Sequence, residues 1–167
     1  MAITSGWIST TMNRSDYLID LNYPLNYELL KKSAQIASDN KIFYQDSRYN
    51  NRKLSNWLIS KYSDDYITQI MKDFDIIGSP RFYWLDANTM IPPHIDNETT
   101  CSINFLLSDN LAAVNFESNQ FYYRQCLLNT KKIHWVSNGN SQRILFKISV
   151  FNETYQQLAS RIRYRQN

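Results

Sequence analysis

The sequence predicts an α+β fold, a β-barrel-like core with helices packed on its outside. Three observations predict it. Residues 27–38 place apolar side chains at helical spacing. From about residue 80 to 151, short apolar runs alternate with clusters of turn residues. After Phe151 the spacing becomes helical again.

Taken in order, the first helix spans Tyr27 to Ser38, with Leu29, Leu30, Ala34 and Ala37 sharing a stripe and Asn26 as its N-cap. Lys53 to Lys61 reads either way, and helix is the preferred expectation. Ser63 followed by Asp64 and Asp65 predicts a helix start, because acids suit the positive end of the helix dipole. That helix runs to about Phe74, and Gly78 closes the segment. Strands are expected at 81–85, 101–107, 112–116, 121–125, 133–136 and 142–151. The turns between them are Asp86-Ala87-Asn88, Ser108-Asp109-Asn110, Ser118-Asn119 and Asn138-Gly139-Asn140. Asn152 is the expected cap of a terminal helix carrying Tyr155, Leu158, Ala159 and Ile162.

A chain of 167 residues suits one domain. Within it, residues 1–78 are expected to form a helical N-terminal support, 79–151 a strand-rich core and 152–167 a C-terminal helix. A net charge of +3 is too mild to require an anionic partner. The cations Arg161, Arg163 and Arg165 read as a solvated helix end rather than a nucleic-acid surface. Two cysteines, Cys101 and Cys126, are too few for a disulfide framework and lack zinc-site spacing, so both are expected to be buried free thiols. No stretch approaches the roughly 18 apolar residues of a membrane span. No signal peptide is visible. A cytoplasmic protein is the resulting expectation.

Chemistry concentrates around the chain's two histidines. In His94-Ile95-Asp96, residues two apart on an extended segment face the same side, so an imidazole and a carboxylate can reach one metal ion. Pro92 and Pro93 stiffen the approach and prevent a helix. His134 follows 40 residues after His94, far enough for the chain to run out and return across a small barrel. Two imidazoles and a carboxylate on one face of an octahedron leave positions open for further ligands, as in non-haem Fe(II) oxygenases. Arg143 enters an apolar strand nine residues later with no acid near it in sequence. Burying that charge is expensive unless it is paired, and a ligand carboxylate suits its planar fork. The bland alternative is an arginine that reaches the barrel mouth.

With Pro93-His94-Ile95-Asp96, Cys101 to Leu107, His134 to Asn138 and Arg143 in this order, the stretch from about Arg81 to Phe151 resembles the 2-oxoglutarate/Fe(II) oxygenase superfamily. Within it the chain is similar to small microbial and phage-type members related to prolyl and aspartyl/asparaginyl hydroxylases. The resemblance implies a double-stranded β-helix, a cupin-like jelly-roll barrel of two antiparallel sheets. It implies that His94, Asp96 and His134 bind Fe(II), and that Arg143 binds the distal carboxylate of 2-oxoglutarate. It further implies O2-dependent hydroxylation of an unactivated C–H bond, on a peptidyl side chain or a small molecule, with succinate and CO2 as co-products. Asn104, mid-strand in an apolar run, and Tyr83, on the strand before the triad, are candidate co-substrate contacts; packing accounts for each equally well or better. Leu145 departs from the family, many members of which place Ser or Thr two residues after the arginine. Ser102, Tyr83 or Tyr123 would have to supply that hydroxyl. Other readings are a cupin-like metal enzyme that does not use 2-oxoglutarate and a non-catalytic binding protein. A nucleobase demethylase is disfavoured, because no second arginine follows between Ile144 and Ser160.

Overall fold

In the computed structural model, residues 14–45, 54–109, 112–117 and 119–166 are described. The expectations for Lys53, Asn110 and Ser118 lie outside them, as do the side chains of Arg163 and Arg165. Eleven strands and three α-helices follow in the order β1 (Leu18–Asp20), α1 (Tyr27–Ser38), β2 (Ile42–Gln45), β3 (Leu54–Lys61), α2 (Asp65–Phe74), β4 (Gly78–Leu85), β5 (Met90–His94), β6 (Cys101–Leu106), β7 (Val114–Phe116), β8 (Asn119–Phe121), β9 (Gln125–Leu128), β10 (His134–Ser137), β11 (Arg143–Val150) and α3 (Tyr155–Gln166). A seven-stranded antiparallel sheet in the order β1-β9-β6-β11-β4-β3-β2 faces a four-stranded one in the order β5-β10-β7-β8. This is the double-stranded β-helix architecture.

Strand periodicity sorts the side chains of the large sheet into two layers. On β11, Phe146, Ile148 and Val150 face outward. They join Phe82, Ile103, Phe105, Leu30, Ile67 and Leu158 in a core beneath the three helices. Leu145 faces inward with Tyr83, Leu106, Phe116 and Tyr123, filling the barrel between the sheets. Arg143 and Lys147 share the inward parity of Leu145. All of β6 is therefore buried, one face in each layer.

Both early helices form as their caps predict. The Asn26 side chain accepts from the Leu29 backbone N–H, and Asp64 accepts from that of Ile67. The α2 helix ends at Asp75, which takes the left-handed conformation (φ 52°) expected of Gly. Gly78 instead begins β4, where a Cβ would lie 2.7 Å from the Ser149 carbonyl oxygen. The terminal helix is capped by Thr154, not Asn152. Its backbone N–H donates to Gln157 Oε1 and its hydroxyl accepts from the Gln157 N–H, a reciprocal capping box.

The helical expectation for 53–61 is corrected. Residues 54–61 form β3, paired along β4 from Trp57–Leu85 to Lys61–Arg81. Aromatic and β-branched side chains at Trp57 and Ile59, together with an open sheet edge, outweigh a local helical pattern. Residues 14–78 therefore supply three strands as well as two helices. The strand expected over 121–125 is likewise divided: β8 ends at Phe121 and β9 begins at Gln125. The Asp86-Ala87-Asn88 turn forms as expected, with Asn88 at φ 57°. Pro92 and Pro93 lie in β5, an edge strand paired only with β10, where a missing N–H does no harm.

Candidate metal centre

His94 and His134 are direct cross-strand partners on β5 and β10, with ring centroids 4.4 Å apart. Asp96 lies just past the end of β5, where its backbone N–H donates to the Thr130 carbonyl. The Lys131 ammonium donates to the Asp96 and Asn97 carbonyls and fastens the loop further. One ligand atom from each of His94, Asp96 and His134 falls within 4.8 Å of the other two.

The imidazoles are oriented for a cation. Nδ1 of His94 is 2.8 Å from the Pro92 carbonyl oxygen, and Nδ1 of His134 is 2.8 Å from that of Lys132. A carbonyl only accepts, so each Nδ1 carries a proton and Nε2 is left as the ligand atom for a metal; the Nε2 of His94 lies 3.5 Å from Asp96 Oδ1. Burial, then the neighbouring His94, pulls the pKa of His134 down to about 4, which keeps that ring neutral near pH 7. Burial opposes ionisation of Asp96. The Lys147 ammonium and the polar contacts around the carboxylate outweigh it, and hold the carboxyl well below its usual range. Two neutral nitrogens and a carboxylate are a donor set that fits Fe(II), with open positions remaining.

Lys147, which sequence reasoning missed, is the residue nearest this cluster in charge terms. Its Nζ donates to Asp96 Oδ2 at 2.7 Å, and its side chain is 15% exposed. The signal was present in the sequence. Lys147 is four residues after Arg143 in the same apolar strand, so strand parity places both on one face.

Arg143 lies farther along that face and is only 1% exposed. Its guanidinium donates to the Ala112 carbonyl and, at 3.1 Å, to the Tyr123 hydroxyl. Of the three hydroxyls considered, that of Tyr123 is the one within hydrogen-bond distance of Arg143. Among the described residues no carboxylate pairs with Arg143, and its Nε has no partner. Asn104 is the cross-strand neighbour of Lys147 and bonds to Tyr123, while its Oδ1 and the Ser102 hydroxyl remain buried without partners. These unfilled valences inside the barrel fit a polar ligand.

A cavity of about 250 Å³ opens beside His94 and Asp96 and is lined by Tyr83, Arg81 and Lys147; Arg143 is not in its wall. Tyr83 packs edge-on to Trp57, with Lys147 Nζ 5.8 Å from its ring centre. Trp135 belongs to β10, and Asn138 clamps its loop by donating to the carbonyls of Leu85, Asp86 and Ser141. Both cysteines are buried free thiols, as expected. No helix among the described residues is long and apolar enough to cross a membrane.

No protein family and no curated protein matches the chain by sequence. Solved structures do match in shape. A Pseudomonas putida prolyl-4-hydroxylase aligns with a TM-score of 0.59 at 9% identity, covering 81% of this chain and 93% of that one. The viral collagen prolyl hydroxylase of Paramecium Bursaria Chlorella virus-1, solved with 2OG, aligns at 0.56 and 10% identity, covering 83% and 98%. An oxidoreductase of the 2OG-Fe(II) oxygenase family from Burkholderia pseudomallei aligns at 0.54 and 8% identity, covering 82% and 85%. The resemblance read from the sequence thus holds at the level of architecture: this chain has the double-stranded β-helix fold of the 2-oxoglutarate/Fe(II) oxygenases.

Proposed function

We propose that the protein is an Fe(II)- and 2-oxoglutarate-dependent dioxygenase that hydroxylates an unactivated C–H bond of a peptidyl side chain or a small molecule. The observation that carries this reading is the convergence of His94, Asp96 and His134 at one end of a barrel, with each imidazole Nδ1 directed at a backbone carbonyl. Fe(II) and 2-oxoglutarate, when bound, supply the oxidising chemistry with O2, releasing succinate and CO2. The chain itself holds the metal through these three side chains, and burial keeps the His134 imidazole neutral. Arg143 is the assigned partner of the distal carboxylate. It is a buried cation with no anion among the described residues, and its Nε is still unpaired. Asn104 and Tyr83 are the assigned polar neighbours of the co-substrate. The charge balance supports a dianion. Among the described residues, Asp96 is the one carboxylate paired with either Arg143 or Lys147, and a divalent metal adds two more positive charges.

The test is anaerobic reconstitution with Fe(II) and 2-oxoglutarate. The expected outcome is a visible charge-transfer band, followed by succinate formation on admitting O2. Bound iron with neither band nor succinate overturns the co-substrate assignment. A second reading has an observation in its favour. The Arg143 guanidinium is already engaged by Ala112 and Tyr123 and does not line the cavity, as suits a cupin-like metal enzyme without 2-oxoglutarate. Only the first reading predicts metal-dependent thermal stabilisation by 2-oxoglutarate.

A further inference from the structure

The large sheet carries a row of cations that the triad does not use. Lys61 on β3, Arg81 on β4 and Lys147 on β11 are direct cross-strand partners, one strand to the next. Like charges placed opposite one another on a sheet repel, and such a row is destabilising unless something compensates it. Lys61 is exposed, and water screens it. Lys147 is compensated by Asp96. Arg81 is half-buried, and its side chain makes no hydrogen bond or ion pair among the described residues. Its Nε is fully enclosed with no acceptor.

Arg81 and Lys147 both line the cavity beside His94 and Asp96. Trp57, Tyr83 and Ile91 form the apolar and aromatic part of its wall, and Asn97, Thr99 and Ser149 add polar groups. The rim carboxylate Glu98 is solvent-exposed, so it offsets little of the charge inside. When a divalent metal takes a share of the Asp96 charge, the Arg81–Lys147 pair is left with still less compensation. An unpaired guanidinium beside an ammonium, between aromatic walls, is a receptor for a planar anion carried on an apolar body. At about 250 Å³ the space is below the roughly 300 Å³ at which pockets for drug-sized ligands begin. It suits a small acid or the side chain or end of a peptide, not a folded surface.

We infer that the Arg81–Lys147 pair is the substrate anchor of this site, and that the molecule acted on carries a carboxylate close to the carbon presented to the metal. This rests on the oxygenase reading and narrows it. Arg143 inside the barrel serves the co-substrate, whereas Arg81 at the cavity wall selects the substrate. Arg81 supplies the two-pronged contact, and Lys147 adds charge while keeping its bond to Asp96.

The test uses the full chain loaded with Mn(II) in place of iron, saturated with 2-oxoglutarate, without O2. Mn(II) shortens the proton relaxation times of any molecule held within a few ångströms of it. The probes are benzoate, its neutral counterpart benzamide, and short peptides ending in a free or an amidated C-terminal phenylalanine. Relaxation by the bound metal is expected for benzoate at least tenfold above that for benzamide. It is expected to vanish in Arg81→Gln and to survive largely in Arg81→Lys. Benzoate alone relaxed marks a free acid as the source of the carboxylate; the free-ended peptide relaxed as well marks a peptide end. Equal relaxation by benzoate and benzamide, or enhancement that survives Arg81→Gln, overturns the assignment. Loss of 2-oxoglutarate affinity in Arg81→Gln with benzoate binding unchanged also overturns it, by moving Arg81 to the co-substrate while the oxygenase reading stands. Failure of wild-type protein to bind Mn(II), read by its paramagnetic resonance spectrum, removes the oxygenase reading and this one with it. Circular dichroism of Arg81→Gln and Arg81→Lys separates loss of the contact from loss of the fold.

Discussion

Two cations on one face of β11, four residues apart, have different partners. Lys147 meets the Asp96 carboxylate, while Arg143 meets only a neutral hydroxyl and a carbonyl among the described residues. A hydrogen bond to a charged group is worth about 1.5–3 kcal/mol, and tenfold in affinity corresponds to about 1.4 kcal/mol. Arg143→Ala is therefore expected to weaken 2-oxoglutarate binding by roughly 10- to 100-fold. The Mn(II) content should be unaltered, since Arg143 touches none of the three ligands. Titration calorimetry on Mn(II)-loaded protein reads both quantities, and an unchanged affinity assigns Arg143 a purely structural role. The three metal-ligand candidates were legible in the sequence because a two-residue spacing and a second histidine are local statements. Lys147 was not, because its meaning depends on which loop crosses above β11. A lysine in an apolar strand is ambiguous until the Asp96 loop is placed over it.

At the scale of elements, legibility follows how local the determining contacts are. Helices α1 and α2 were readable because caps and periodicity lie within a dozen residues. Asp64 shows why the α2 start is firm: one oxygen accepts from the Ile67 N–H at 2.8 Å, and the other accepts from the Ser33 hydroxyl of α1 at 2.6 Å. Asp64→Ala removes a cap worth about 1 kcal/mol and an interhelical hydrogen bond worth about 1 kcal/mol. The expected loss is about 2 kcal/mol in urea unfolding, with Asp64→Asn retaining more than half of the cap. A loss within error for the alanine variant would mean that neither bond survives in solution. Strand β3 was misread for the opposite reason. Its identity comes from pairing with β4, some 25 residues away, and nothing inside residues 54–61 announces that partner. The same holds for β1, whose place at the sheet edge is fixed by β9 more than a hundred residues later.

Over the whole molecule, the candidate metal centre couples folding to pH. In the folded chain, burial drives the pKa of His134 down to about 4, while an unfolded histidine sits near 6.5. Below about pH 6.5 the unfolded chain takes up a proton that the folded site refuses, so stability present above that pH is lost as pH falls toward 4. At about 1.4 kcal/mol per pH unit, the limb is worth on the order of 3 kcal/mol. Asp96 acts in a separate window. Its carboxyl is held below the usual range, so its contribution persists through this interval and disappears only in stronger acid. On the proposed function, a divalent metal would bind the neutral form of His134 and so compete with the proton. Mn(II) at a hundred times its dissociation constant adds about 2.7 kcal/mol, or a rise in Tm of roughly 5–11 °C for a domain of this size. That rise should be full at pH 7.5, shrink steadily below pH 6.5 and vanish with a chelator. His134→Ala should abolish both the metal-dependent rise and most of the acid limb. Scanning calorimetry from pH 4.5 to 8, with and without Mn(II), separates the possibilities. A rise of equal size across that range, or one that survives His134→Ala, would place the metal away from the two histidines that β5 and β10 bring face to face.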